Sequence, residues 1–452
     1  MATCAPHGVE TNLSCRTCGT PVCPDCAVRT AMGVSCQEHA GNAKKEAVVA
    51  AAPRSERSPG GRRLVIGGVV LALLIAAVVF LRPSGGDDGD GTVSAAWTPL
   101  PPAGLAARSG MAFVWTDRAM IVWGGGSVND GAAFQLPAST WQPLAPAPLS
   151  ARSSHSAVWT GSKMIVFGGL GRGDGCRPSC AFNDGAAYDP ATDRWAPIAR
   201  SPLAGRGGHS AVWVQDRMVV WGGAVEGGAA VADGASYDPV ADVWTMLPAA
   251  PLEPRTSHRT VATAHRMLVW GGSSEAAEGG KYFDDGAVYS PATNDWTAMA
   301  PYPQTRESGA RDTFSSVWTG EKMLVWGGYS RSEDCNPCNH DDGAAYDLSS
   351  DTWTLMSPAP LSGRGAHRAV WTGREMVVWG GFNTTEQNDG ATYNPESDTW
   401  AQLPESPLLP RQGQAMVWTG EQVVIWGGHG PHGEGEGAAA NHDDGALLRL
   451  RS

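Results

Sequence analysis

The sequence predicts an all-β fold, a seven-bladed β-propeller whose last blade is completed by a strand from the beginning of the repeat region. Three observations predict it. A Gly-Gly doublet recurs seven times, at Gly124, Gly168, Gly222, Gly271, Gly327, Gly380 and Gly427, a period of about fifty residues that signals a propeller or a solenoid. Each doublet is followed by an Asp-Gly pair, at Asp130, Asp184, Asp233, Asp285, Asp342, Asp389 and Asp444. With 58 glycines, 32 prolines and 19 tryptophans, the composition favours one repeated turn-rich unit over several unrelated domains.

The elements before the repeat come first in chain order. Residues 1–40 carry CAPH, CRTC, CPDC and CQEH. The eight side chains Cys4, His7, Cys15, Cys18, Cys23, Cys26, Cys36 and His39 suffice for two closed tetrahedral Zn²⁺ sites of three Cys and one His, structural because no water position stays open. A disulfide framework would leave His7 and His39 unexplained at ligand spacing and does not suit a reducing cytosol. The order of the pairs resembles the B-box zinc fingers, and the TPVCPDC core looks like short zinc-binding segments that precede the membrane domain of some bacterial rhomboid-family proteins. No bundle of hydrophobic helices follows, so protease activity is not implied. Two departures from the B-box matter: the last pair is Cys36 and His39, and nine residues separate it from Cys26. Cross-bracing, if carried over from the B-box, groups Cys4, His7, Cys23 and Cys26, then Cys15, Cys18, Cys36 and His39; sequential pairing stays open.

Residues 41–63 and 82–95 are rich in Pro, Gly, Ser and charge and read as flexible linkers, the first basic and the second acidic. Between them, residues 64–81 hold no charged side chain, and a helix of that length is about enough to cross a ~30 Å hydrocarbon core. Lys44, Lys45, Arg54, Arg57, Arg62 and Arg63 precede the span, whereas Arg82 alone follows closely, beside Asp87, Asp88 and Asp90. The positive-inside rule therefore keeps the N-terminus in the cytoplasm and places residues 96–452 outside, on a single-pass protein of the plasma membrane. Charge divides in the same way. Residues 1–82 carry a net +4 and residues 83–452 a net −16, within a total of −12. So acidic a body argues against a nucleic-acid partner.

Within the repeat, an apolar run such as KMIVFGG or RMVVWGG precedes each doublet, short and bounded like a buried strand. After Asp-Gly, a segment such as DGAAYDPATDRW ends one strand in a turn and begins the next with Trp. These features resemble the kelch repeat, in which a glycine doublet, a Tyr and a later Trp mark a four-stranded antiparallel blade. The resemblance covers residues 97–452. Closure follows from counting: the final repeat stops at DGALLRLRS without a Trp strand, while Trp97 opens an unassigned WTPL. Trp97 should complete blade seven and remove an exposed β edge.

All nineteen tryptophans fall into three repeat positions. Trp97, Trp141, Trp195, Trp244, Trp296, Trp353 and Trp400 begin fourth strands; the others end first strands or precede the doublets. Packing between blades is the expectation, not a stacking platform for sugars. Arg108, Arg152, Arg206, Arg255, Arg311, Arg364 and Arg411 each stand just before a first strand, on the same face as the Asp-Gly pairs. They read either as an anion-binding rim or, as the recurrence of both charges in every blade favours, as one Arg–Asp pair per blade. His155, His209, His258 and His367, three residues after four of these arginines, read as capping or channel-rim residues.

Function is expected on the face carrying the loops between strands two and three, which vary widely in length while the opposite connections stay short. Two of these loops hold the disulfide candidates Cys176 with Cys180 and Cys335 with Cys338; Cys335, Cys338 and His340 are an alternative metal set. Blade five departs from the pattern with RESGARDTF, placing Arg306, Glu307, Asp312 and Phe314 at the rim. The reading that follows is a membrane-anchored binding or scaffold protein that presents its propeller to a protein or glycan, with a possible cytoplasmic protein partner for the zinc module. The alternative is a carbohydrate-active enzyme, since kelch-related propellers include galactose oxidases and sialic-acid epimerases. Against a copper oxidase, the repeat takes five of eight tyrosines and leaves Tyr282, Tyr302 and Tyr329. No catalytic residue is assigned.

Overall fold

The computed structural model describes residues 95–450 apart from 174–175, 275–279, 304–308, 332–336 and 432–438, together with the backbone of four short strands nearer the N-terminus. The chain divides into two units, Met1–Gly85 and Gly86–Ser452. In the first, Ala2–Cys4 pairs antiparallel with Val9–Thr11, and Ala27–Thr30 with Gly33–Cys36. Each strand pair is a short hairpin that carries one of the expected ligand positions, Cys4 or Cys36, at its end. The side chains of the eight zinc-ligand candidates, both linkers and the span 64–81 lie outside the described residues. Among the described residues no helix is long and apolar enough to cross a membrane.

The second unit is the propeller. Its described residues form seven four-stranded antiparallel sheets in simple up-and-down order, besides small hairpins in the loops. Blade three is typical: Ser210–Val214, Arg217–Trp221, Gly234–Asp238 and Val243–Met246 run from the centre outward. First strands neighbour one another all the way round the ring, including blade seven against blade one. Second strands such as Met376–Trp379 are buried along their whole length because a sheet covers each face, which is why they are continuous apolar runs with no alternation. Fourth strands alternate, with Trp half-buried between exposed neighbours.

The core lies between blades. One cluster joins Val114, Ile121 and Trp123 of blade one to Met164, Val166 and Tyr188 of blade two, and comparable clusters fill the other interfaces. Blade seven is closed as expected: Ala95–Pro99 pairs with Gly445–Leu450, with Trp97 opposite Leu448. Every fourth-strand Trp packs on the aromatic ring that precedes the doublet of the previous blade, from Trp97 on Trp379 and Trp141 on Trp426 to Trp244 on Phe167. Each indole N–H also donates across that interface, Trp97 to the Pro404 carbonyl at 3.1 Å and Trp244 to the Ala199 carbonyl at 2.8 Å. One turn residue makes a similar staple that the sequence reading missed. Asp242, in a left-handed conformation at φ 55°, accepts from the Tyr237 hydroxyl of its own blade and from the Ala199 amide of the previous one.

Candidate functional site

The glycine doublets and the seven arginines make one repeated joint under the loop face. In blade three, Gly222 has φ +68°, and a Cβ there would meet the His258 ring at 2.7 Å, so the backbone of one blade can touch the next only through glycine. The second glycine then donates to the carbonyl of the next blade's arginine: Gly223 to Arg255 at 2.9 Å, and Gly428 to Arg108 at 3.0 Å across the closure. Arg255 in turn donates from Nε to Glu253 O, from Nη1 to Gly271 O and Asp285, and from Nη2 to Asp285.

All seven Arg–Asp pairs form, at 2.5 to 2.8 Å: Arg108–Asp130, Arg152–Asp184, Arg206–Asp233, Arg255–Asp285, Arg311–Asp342, Arg364–Asp389 and Arg411–Asp444. The arginines are 0–1 % exposed. This corrects their placement as a binding-face rim. The guanidiniums lie beneath the loops, each with its Nε and Nη1 bonded to protein acceptors, and the carboxylates are the partly exposed members of the pairs.

The histidines are corrected as well. His155, His209, His258 and His367 are buried between blades, edge-on to Trp123, Phe167, Trp221 and Trp326. Nε2 of His155 donates to the Trp123 carbonyl at 3.2 Å, while His209, His258 and His367 bond to Ser156, Ser210 and Ser315 of the preceding blade. Burial, aided by the arginine next to each, lowers these four imidazoles to about 3. They are neutral joints. Phe314, expected at the rim, fills the same position fully buried against Trp270.

What departs from the repeat gathers at one place. Two positions per blade surround the mouth of the central channel: the residue after the buried arginine and the residue after the doublet, bridged to each other as Thr256 with Ser273, Asp312 with Tyr329, and Gly365 with Phe382. These residues, with Ser257, Tyr282, Thr313, Arg331, Asn339 and Gln412, line a cavity of about 410 Å³ shared by blades four to seven. Two larger hollows, of about 630 and 520 Å³, lie on the opposite face. Their linings, such as Tyr188, Asp193 and Trp115, are repeat residues with structural partners, so volume alone does not mark the site.

Inside the loop-face cavity, Asp312 accepts hydrogen bonds from Ser273 Oγ at 2.8 Å and Thr313 Oγ1 at 3.3 Å. Burial pushes its carboxyl above the usual range, opposed by those hydroxyls and by the charges of Arg259 and Arg331. Burial and the nearby Asp312 push the Tyr282 phenol up to about 12. Tyr282 meets Tyr329 edge-on with centroids 5.9 Å apart, and Arg331 Nε donates to the Tyr329 hydroxyl. Thr313 holds φ 51°, a left-handed conformation costly for a β-branched residue, at the point where the chain turns over the carboxylate. Phe382 is 38 % exposed at the blade-six side. The arrangement can donate and accept hydrogen bonds and stack an aromatic or sugar ring.

Of the residues singled out from sequence, Asp312 is in this cavity; Arg306, Glu307 and Cys335 lie outside the described residues. Cys180 is disulfide-bonded, while the side chain of Cys176 lies outside the described residues. Cys338 is buried in a two-strand extension, opposite Ser330, and His340 bonds Ser330 through Nε2 at 2.8 Å. Among the described residues no cluster of His, Cys, Asp or Glu is arranged to hold a metal ion. Tyr282 and Tyr329, which the repeat does not use, were the available signal for the cavity.

A family model described as the KLHDC2/KLHL20/DRC7 Kelch-repeats domain matches residues 91–252 and 208–428. Among solved structures, one titled "Structure of YjhT" is similar at 16 % identity and a TM-score of 0.53, covering 67 % of this chain and 99 % of that one, a likeness of fold. No curated protein matches the chain. With doublets, Asp-Gly pairs and interface tryptophans performing the same joints in every blade, and the family match extending over most of the sequence, the chain belongs to the kelch-repeat family of β-propellers.

Proposed function

We propose that this chain is a membrane-anchored binding and scaffold protein that captures a protein or glycan at the loop-face mouth of its propeller, with a zinc module docking a partner on the cytoplasmic side. The observation that carries the reading is convergence. Residues at equivalent positions of blades four to seven, which vary from blade to blade where the rest of the repeat does not, enclose one cavity with a buried carboxylate, two tyrosines, an exposed Phe and a guanidinium. A few polar groups among aromatic walls is the composition of a recognition site. Support for the anchor comes from the uncharged residues 64–81 and their basic N-terminal flank.

The test is crosslinking capture by the full-length protein in detergent, compared with Asp312→Asn and Tyr329→Ala. Loss of the same captured species in both variants, with Arg374→Gln as an exposed control, supports the site; unchanged capture removes it. A second reading, a carbohydrate-active enzyme, is favoured by one observation: Asp312, its carboxyl raised by burial, lies beside Tyr282, an acid–base pairing within one cavity. Turnover of a captured sugar that Asp312→Asn abolishes would distinguish it from binding alone.

A further inference from the structure

Two positive charges in the middle of the propeller make no ion pair among the described residues, although the charge of Asp312 reaches Arg259. Arg259 opens the first strand of blade four and Arg368 that of blade six. Blades two, three and five carry Ser156, Ser210 and Ser315 at this register, each bonded to the next blade's histidine. After Arg259 and Arg368 the next blade presents Phe314 and Gln414 instead, which give a serine no imidazole to meet. The two arginines cross the same interface through Nε alone, to the Phe314 carbonyl at 2.7 Å and the Gln414 carbonyl at 3.0 Å. Four further donors per guanidinium remain, and among the described residues none makes a hydrogen bond within 3.5 Å or meets a carboxylate within 4.0 Å.

These ends face the central channel. First strands are its wall, and the Arg368 guanidinium lies 5.6 Å from the ring of Phe113 in blade one, which is not a neighbour of blade six, so the contact is made across the opening. Burial and then the charge of Arg259 lower Arg368 to about 9, whereas burial lowers Arg259 and the charge of Asp312 opposes it. Among the described residues, the charged groups near this end of the channel include Arg259, Arg368 and Arg331 and two acids: Asp312, whose two oxygens take the hydroxyls of Ser273 and Thr313, and Glu386, which accepts from Gln412 of the cavity wall. Even with Asp312 and Glu386 ionised, these three guanidiniums outnumber the two carboxylates among the described residues, inside walls that screen poorly.

We propose that Arg259 and Arg368 form an oxyanion site in the channel, which takes a phosphate or carboxylate group entering through the loop-face cavity. The proposal rests on that cavity being the ligand site and adds that the ligand is anionic at its leading end. Guanidinium donor forks match oxygens of either group. Neutral sugars and basic segments are disfavoured by the same charges.

Full-length protein in detergent is titrated calorimetrically with inorganic phosphate and, separately, acetate, with chloride holding ionic strength constant. Saturable binding of one anion per chain is expected, and the preferred anion identifies the source as phosphate or carboxylate. Arg259→Gln and Arg368→Gln should each weaken it at least about tenfold, the scale of one charge-assisted contact, while Arg449→Gln, an exposed residue on the third strand of blade seven, leaves it unchanged. Arg259→Lys and Arg368→Lys, which keep charge but lose the fork, should fall between and replace any Gln variant that loses its native near-UV signal. No saturable binding of either anion, or affinity unchanged in the arginine variants, overturns the inference. Partner capture through Asp312 and Tyr329 is read by a different experiment, so the two readings fail separately.

Discussion

Removing Trp97 tests the clasp of the ring. Trp97→Ala removes a half-buried indole that packs on Trp379 with centroids 6.1 Å apart and donates to Pro404 O at 3.1 Å. Truncating a buried aromatic costs about 3–5 kcal/mol, and the partial exposure of Trp97 places it near the lower end, including about 1 kcal/mol for the hydrogen bond. The expected loss is therefore ~3 kcal/mol. Trp244→Ala is the matched control, with the same packing on Phe167 and the same bond to Ala199 O in a blade whose strands are consecutive. Deleting residues 92–101 should cost much more, because it strips the outer ladder from Gly445–Leu450, leaving only its pairing with Val423–Trp426, and uncovers the blade-six face. Denaturation midpoints of the three variants, followed by tryptophan fluorescence in full-length protein, give the answer. If the deletion unfolds at the parent midpoint, the N-terminal strand does not hold the ring and the reasoning fails.

Acid should destabilise the propeller through its interface histidines. Their folded values near 3 lie below the unfolded 6.5, so the folded state binds fewer protons; stability is full above pH 6.5 and falls as pH drops toward 3. At pH 5 this amounts to about 2 kcal/mol per histidine, and denaturation midpoints between pH 8 and 4.5 measure it. Blade seven supplies the control: Gln414 makes the His155 bond without a titrating group, donating to Trp379 O at 3.1 Å, so His155→Gln should keep the neutral-pH midpoint and flatten the slope by about a fifth, since His340 is lowered as well. An unchanged slope would contradict burial of His155. Arg255→Ala should cost about 3 kcal/mol or more because it orphans several carbonyls, whereas Asp285→Ala should cost less, since the carboxylate is half exposed and water can replace it. Equal losses by urea titration would refute that asymmetry. The N-terminal module should hold two Zn²⁺ and lose its structure with a chelator; metal analysis of reduced full-length protein giving a ratio near zero would exclude it.

Much of the ring was legible because its joints need particular residue types in every blade. Only glycine fits beneath the next blade's His258, and the buried Arg255 ties carbonyls of its blade to the Asp285 carboxylate in the same way in each repeat, so both recur and can be counted. Trp97 was identifiable for the same reason. The cavity was harder to read, because it consists of exceptions: Asp312, Ser273 and Tyr329 become neighbours only once the residue after the arginine is known to bridge the residue after the doublet. Arg259 and Arg368 were hidden because their meaning depends on a missing histidine one blade later. The histidines were placed at the rim because period alone does not say whether a side chain points along the channel or sideways into the next sheet.

The clasp strand also sets an order of assembly. Ala95–Pro99 is the earliest piece of the ring to leave the ribosome, yet its partner Gly445–Leu450 is the last. Loop closure over that span adds only about 0.6 kcal/mol per doubling of length, so distance is not a thermodynamic obstacle. It is one of time: with synthesis at roughly 5–20 residues per second, the strand waits many seconds with bare amides and carbonyls while six blades form beside it. Its short length, the Pro99 that ends it and the Pro101 and Pro102 that follow limit what else can pair with it in the interval. A nascent chain stalled before residue 445 would hold six complete blades, an open seventh and a free clasp, a form that chaperones and proteases can tell from the finished ring.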